Sequence, residues 1–565
     1  MKNIKYILSL LFLLGMTGSC DENYLKETPK DFLSPDNAYV DKSGFESAIF
    51  QIYNSIRSDI YKYSNGRIPL LGCDLDIFLA TSTTVWCHPI YYWTSSFNAD
   101  NSTVLDLWQK FYKWIYYCNT IIDKAEGDNV KWVSDNEKNT ILGEARFLRA
   151  FAYRFLANIW GGVPLVLEET TSPKFDYKRA TQEDVYKQCK KDLEFAVKYM
   201  HVVTELKGGR APRAAAYNLL AEINICLKDY DGAIAAATKV ISDPNFHIMT
   251  ERFGKRTSFQ FNGWDYQGAY EPWGDVYWDL FREGNMNYQE GNRECIWNIQ
   301  LEHNATGGGD KLFQLEAHQG EWRTMNDING VQNLQKDTLS GRPNSGCTAT
   351  YYAVDSIWRY KGDWDRDIRN SKYNIQREFY WVNPKSKFYG QQLTTENLTT
   401  NFRDYISIIK RPCFKKVNVI SHYGDVVEKA PSQKHDNNYI WKDWYIMRLP
   451  ETYFLRAEAY MLKGDKASAA ADINVIRNRA QATPVTASDV NIDLILDERE
   501  RELHLEDYRL NTLMRTGKLK EYLMKYNPEV VKYNISLDDH INKFPIPNRE
   551  IEANKEAELE QNPGY

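Results

Sequence analysis

No two cysteines in this chain are spaced Cys-x-x-Cys, which removes zinc ribbons and thioredoxin-type redox chemistry from consideration. The nine cysteines are scattered; eight follow Cys20, and of these Cys73 and Cys87 could bridge in an oxidising compartment. A Gly-x-Ser-x-Gly elbow, a His-Glu-x-x-His helix and a P-loop are all missing, so the common hydrolase, zinc-protease and nucleotide signatures are excluded. There is no twelve-residue calcium loop, and no cofactor or metal is expected, a structural calcium on loop oxygens staying open. Net charge is only −6 over 565 residues with the signs interspersed, which argues against nucleic acid as a partner. Nothing approaches the roughly 20 consecutive apolar residues that span a bilayer.

What is present begins with an export signal. Lys2 and Lys5 precede a short apolar run, Tyr6 to Leu14, and mostly small residues follow up to Ser19. Met16-Thr17-Gly18-Ser19-Cys20 resembles a bacterial lipobox, with Thr17 where an aliphatic residue is usual. Residues 1–19 are therefore expected to be a lipoprotein signal peptide, Cys20 the lipidated residue, and 20–35 a tether. Acyl chains on Cys20 would anchor the chain to a membrane.

Helical periodicity dominates both ends of the remaining chain. Leu148, Phe151, Phe155 and Ile159 recur at helical spacing, and Gly161-Gly162 with Pro164 stop that helix. Thr181 followed by Asp184 reads as a cap on another. Two segments look like one unit used twice: Ala221 to Ile241 and Ala457 to Ile476 each give a helix, a tight turn and an alanine-rich helix, the form of a tetratricopeptide hairpin or equally of an ordinary helical hairpin. Between them, residues 249–441 lose that period and turn to glycine, Asn, Asp and scattered rings, with strand-like runs such as Cys295 to Leu301. The expected architecture is mainly α. A helical scaffold (36–248, with an irregular insertion near 66–102, and 442–565) carries a loop-rich, aromatic-rich ligand-binding subdomain (249–441) with few short strands.

Several motifs together resemble the SusD/RagB family, surface glycan-binding lipoproteins of Bacteroidetes. They are CDENYLKETPKDFLSPDNAY at Cys20, EARFLRAFAYRFLANIWGGVPLV at Glu144 to Val166, and the arginine-led hairpin GRAPRAAAYNLLAEINICLKDYDGAIAAATKVI. RLPETYFLRAEAYMLKGDKASAAADINVIRNRA, ERERELHLEDYRLNTLMR and the terminal Gln-Asn-Pro-Gly-Tyr complete the set, in family order. The resemblance implies a SusD-like fold of tetratricopeptide-like hairpins and an outer-membrane, cell-surface location. It also implies a TonB-dependent (SusC-like) transporter as partner, over which the protein would sit. Individual ligand contacts do not transfer with it.

Contacts are instead sought among rings that follow no secondary-structure period. Thr257 to Phe281 holds nine of them. Tyr and Trp can stack on the C–H face of a sugar while neighbouring carboxylates, amides and Arg bond its hydroxyls. Candidate ligand contacts are Asp74, Trp86, Tyr91, Tyr92 and Trp93 in one stretch, with Asp76 beside them. Trp264, Tyr270 and Trp273 stand in a second, and Trp322 with Arg323 in a third. Tyr277, Trp278 and Phe281 serve equally well as core, and Trp297 reads as structural. The run Glu498 to Glu506 pairs Glu with Arg at helical spacings, which is helix support rather than a catalytic pair. The expected function is non-catalytic capture of an oligo- or polysaccharide and its delivery to the transporter. The rivals are a helical glycoside hydrolase, and a structural transporter lid handling peptide or other cargo.

Overall fold

The computed structural model describes residues 38–61, 68–72, 75–80, 97–254, 260–261, 271–302, 305–309, 312, 325–333, 347–381, 383–400, 412–417, 441–532 and 536–565. The fold is mainly α. Helix α1 (Lys42–Tyr61) buries Phe45, Ile49, Ile52, Ile56 and Ile60, a stripe at spacings of three and four residues. Helix α2 (Ser102–Lys124) starts at Asn101, whose side chain accepts the N–H groups of Thr103 and Val104 at 2.9 and 3.2 Å. Helix α3 (Asp135–Trp160) is the spine: Leu148, Phe151, Phe155 and Ile159 are fully buried, and Phe155 stacks on Phe111 of α2 at 4.9 Å. The Thr181 cap is formed, accepting the Asp184 N–H at 3.1 Å to start α4 (Gln182–Tyr199).

The end of α3 explains two motifs at once. Gly161 takes a φ of +80°, and a Cβ on Gly162 would lie 2.4 Å from the Ala180 carbonyl oxygen, so the turn needs glycine. The chain terminus closes over this turn. Asn562 donates to the Trp160 and Phe544 carbonyls at 2.9 and 2.7 Å and accepts from Arg179 at 2.6 Å, while Arg179 donates to the Gly162 carbonyl at 2.7 Å. The Trp-Gly-Gly-Val-Pro turn and the Gln-Asn-Pro-Gly-Tyr terminus, some 400 residues apart, are one packing unit.

The repeated hairpin is real. Helices α5 (Arg213–Cys226) and α6 (Tyr230–Ile241) form one, and α7 (Leu449–Lys463) and α8 (Lys466–Arg479) the other. Asp229 and Asp465 cap the second helix of each with nearly identical backbone angles (−86°, 73° and −87°, 72°). The preceding residue is left-handed in both turns: Lys228 (φ +62°) in one, Gly464 (φ +94°) in the other. The two hairpins pack on each other through α6 and α7.

Strands are short and paired antiparallel in twos: β1 (Phe78–Ala80) with β5 (Cys347–Ala349), β2 (Gln260–Phe261) with β3 (Glu271–Pro272), β4 (Cys295–Ile299) with β8 (Trp444–Arg448), and β6 (Ile375–Gln376) with β7 (Cys413–Phe414). The expected run at Cys295 is β4, and all five residues of β4 and of β8 are buried. Met325, Phe379, Trp381, Leu393 and Leu398 make a small separate core among the loops. No helix among the described residues is long and apolar enough to cross a membrane.

Helix α9 (Ile492–Leu503) and the turn after it carry the charged run into the interior. Glu498 meets Arg501 at 2.7 Å and Arg369 at 3.2 Å, and also pairs with Arg477. Glu502 meets Arg448 at 2.7 Å and Arg369 at 3.3 Å, and also Arg479; Glu506 meets Arg448 at 2.7 Å and Lys416 at 2.9 Å. Burial alone would raise the Glu498 pKa, but Arg501, Arg369 and Arg477 outweigh it and hold it at about 2. These carboxylates bind α8, β8 and the loops together.

Candidate functional site

Nine of the ten ligand contacts sought in the sequence (Asp74, Trp86, Tyr91, Tyr92, Trp93, Trp264, Tyr270, Trp322 and Arg323) lie outside the described residues, as do Cys20, Cys73 and Cys87. The tenth, Trp273, follows β3 and is only 5% exposed. Its ring meets Tyr373 edge-on at 4.9 Å, with the ammonium groups of Lys372 and Lys415 5.4 and 5.1 Å from its centre. Trp273 is therefore packed as core, not presented as an open stacking face. Asp76 is corrected as well: it is fully buried and takes Arg509 at 3.1 and 3.2 Å. Tyr277, Trp278 and Phe281, open at the level of sequence, are core at 3%, 1% and 0% exposed. Trp297 is structural as expected, its indole N–H donating to the Gly209 carbonyl at 3.1 Å.

A large concavity lies where sequence reasoning did not look. A cleft of about 760 Å³ opens between α1, the turn at 208–210, the end of β4, residues 300–302 and residues 305–308, and reaches Asn287 and the start of β8. Its size falls within the roughly 300–1,000 Å³ typical of small-molecule sites. Phe50, off the buried stripe of α1 and 48% exposed, lies on its wall. Tyr53 and Trp297 contribute further rings.

Polar groups are placed around these rings by a fixed framework. Tyr53 donates to Glu144 at 2.6 Å and accepts the Ala211 N–H at 3.1 Å. Arg210 donates to the same carboxylate and, at 2.9 Å, to Glu46, and its guanidinium carbon sits 5.4 Å from the Phe50 ring centre. Burial and the adjacent Glu144 carboxylate push the Tyr53 hydroxyl pKa well up, so it stays protonated as a donor. Arg57 donates to the carbonyls of Gln300 and Gly307 and to the Asn54 side chain, each at 2.9 Å. Its Nε–H is buried without a partner among the described residues. The side chains of Gln51, Asn54, Gln300 and Thr306 complete a rim of amides and hydroxyl. Asp443, at the inner end, accepts from Asn287 and from the Leu301 N–H, both at 3.1 Å; burial raises its pKa to about 6.

This arrangement suits a neutral, hydroxyl-rich ligand: one exposed ring to stack on, donors and acceptors around it, and a guanidinium without a carboxylate partner among the described residues. Its residues come from five separate segments, and none forms a motif. The signal that could have found it is Phe50, an apolar residue off the apolar face of an amphipathic helix.

Comparison with known proteins completes the picture. A model described as the SusD family matches residues 293–565, and one described as "Starch-binding associating with outer membrane" matches 32–225. SusD-like protein P25 of Formosa agariphila is 23% identical, over 98% of this chain and 97% of that protein. Among solved structures, a laminarin-binding SusD-like protein superposes with a TM-score of 0.66 at 19% identity, over 93% of this chain and all of that one. Surface glycan-binding protein A of Bacteroides thetaiotaomicron, in complex with laminarihexaose, gives 0.65 at 20% identity over 93% of this chain and 100% of its own. With the two family models covering most of its length and the motif order matching from α1 to the terminal tyrosine, the chain belongs to the SusD family.

Proposed function

We propose that this protein captures an oligo- or polysaccharide at the cell surface and passes it, uncleaved, to a TonB-dependent transporter of the outer membrane. The observation that carries the reading is the cleft beside α1, with its exposed Phe50 and the amides, hydroxyl and guanidinium groups around it. Stacking would supply affinity, and the edge hydrogen bonds would supply linkage preference. The names of relatives that bind laminarin and laminarihexaose support a glycan as cargo. Acyl chains on Cys20 would hold the protein at the outer membrane. Rings of the segments around Trp86, Trp264 and Trp322 would extend the binding surface of the loop-rich region. Non-catalytic action is supported by α9, where the carboxylates that could have formed an acid–base pair are each locked to Arg.

The test is native electrophoresis of the exported chain through gels containing laminarin, starch, plant polysaccharides and mucin, with product analysis of each incubated glycan. Retardation without cleavage, weakened by Phe50→Ala, is the expected result. Cleavage products would replace this reading with a glycoside hydrolase. Failure of every glycan to retard the protein would favour a transporter lid with peptide or other cargo.

A further inference from the structure

A second pocket lies on the helical scaffold and shares no lining residue with the cleft beside α1. It measures about 460 Å³ and is lined by α2, the irregular chain after α3 and the terminal segment, all within the described residues. One wall is a stripe of α2 at the helical repeat of four: Trp108, Tyr112 and Tyr116, grading from 3% exposed at Trp108 to 43% at Tyr116. The second wall is the chain after α3, including Pro164, Thr170 and Tyr177. The third is the terminal segment, through Glu550, Asn554 and Leu559.

Each wall is tied to another before any ligand arrives. Tyr112 donates to the Pro164 carbonyl at 2.7 Å, and Gln109 donates to Glu550 at 2.9 Å. Asn554 bonds both the N–H and the carbonyl of Tyr177 at 2.8 Å. The cation at its edge, Lys113, is neutralised by Asp59 at 3.0 Å. Lys113 is thus already paired, and the other charge on the lining, the Glu550 carboxylate, meets only the neutral Gln109 among the described residues, which disfavours an anionic ligand and leaves acceptor capacity for a hydroxyl. By contrast, the hydroxyls of Tyr116, Tyr177 and Thr170 have no hydrogen-bond partner among the described residues. Ring surface, amide edges and three unengaged hydroxyls point to an uncharged ligand carrying both C–H faces and hydroxyl groups. A purely apolar ligand would leave those hydroxyls unmatched.

We infer that this scaffold pocket is a second carbohydrate site, which takes one or two neutral pyranose rings and binds independently of the cleft. The inference rests on the reading that the cargo is a glycan, and adds to it a second point of attachment. Two sites on one chain would raise retention of a long polysaccharide without a new contact at either.

The test is calorimetry of the full chain with laminarihexaose and, in parallel, maltohexaose, together with the variants Tyr116→Ala and Phe50→Ala. Both side chains are nearly half exposed and lie outside the core, so nearly unchanged melting temperatures are expected. Two sites are expected in the unsubstituted protein: Tyr116→Ala weakens one at least tenfold and leaves the other, and Phe50→Ala does the reverse. A single site that is lost in Phe50→Ala and untouched by Tyr116→Ala would overturn the second site and leave the proposed function standing. A single site lost only in Tyr116→Ala would keep the scaffold pocket and overturn the cleft. No binding of either sugar by the unsubstituted protein would overturn both.

Discussion

Arg448 and Arg57 are both guanidiniums set among carbonyl groups and aromatic rings, yet their surroundings differ in kind. Arg448, fully enclosed at the end of β8, meets Glu294, Glu502 and Glu506 at 2.6 to 2.7 Å. Arg57, on the rim of the cleft, meets only neutral oxygens and keeps an N–H without a partner among the described residues. Charges in the C-terminal core are consumed by one another and hold separate segments in register. Polar groups in the cleft are held in place by the fold but not used up by it. Since both regions are rich in rings and charged groups, composition does not separate structure from function here; the state of pairing does.

The sharpest way to break this comparison is to remove a shared carboxylate from the core. Glu502→Ala would remove one carboxylate shared by Arg369, Arg448 and Arg479 and leave the buried cluster with excess positive charge, and breaking a buried pair costs about 3–5 kcal/mol. Urea unfolding should show a loss of at least that size; a change under about 1 kcal/mol would mean that the network behaves like surface pairs.

Next in size is a pH effect from the same helix. Burial raises the Glu500 pKa to about 8, and burial also keeps its neighbour His504 neutral. Because the folded-state pKa lies above the ordinary 4.5, the stability due to protonated Glu500 is complete below that value and is lost as the pH rises towards 8. Glu500→Gln should flatten the dependence of the unfolding free energy on pH between about 5 and 8 and make the variant the more stable protein at the upper end. An unchanged slope would place the titration elsewhere.

The cleft should answer in affinity and not in stability. Phe50→Ala is expected to weaken glycan binding about tenfold, equivalent to about 1.4 kcal/mol, with the melting temperature unmoved. A fall in melting temperature without a change in binding would assign Phe50 to packing and erase the contrast with the core.

The smallest effect belongs to the hairpin turns, where neither buried charge nor ligand is involved, and it serves as the baseline. Lys228 occupies the left-handed position that Gly464 fills in the sister turn, so Lys228→Gly should stabilise by about 0.5–1 kcal/mol. Gly464→Ala, whose Cβ would meet nothing within 4 Å, should cost about the same through backbone strain alone. Thermal unfolding of both variants checks the pair.

Much of the scaffold was legible because it depends on neighbours in sequence. The stripe of α3, the Thr181 cap and the twin hairpin turns are local patterns, and each formed where it was read; of the Glu–Arg pairs expected along the charged run, Glu498–Arg501 formed within α9, while Glu502 and Glu506 found partners far away in sequence. The aromatic platform was harder. Ring content marks both cores and sugar sites, so Trp273 and Tyr277 could not be told from ligand contacts until their burial was known. Asp76 looked like part of a polar rim because its partner, Arg509, lies 433 residues away.

By itself, then, the sequence determined the helical periodicity, the hairpin turns, the order of the family motifs and the absence of catalytic signatures, because each depends on residue spacing alone. Only the tertiary structure decided that the Trp-Gly-Gly turn and the chain terminus form one unit, that the charged helix is a buried strut, and that Phe50 and Arg57 line a cleft. The physical reason is common to all three: burial and hydrogen-bond pairing depend on which distant segments meet, and the spacing of residues along the chain does not record that.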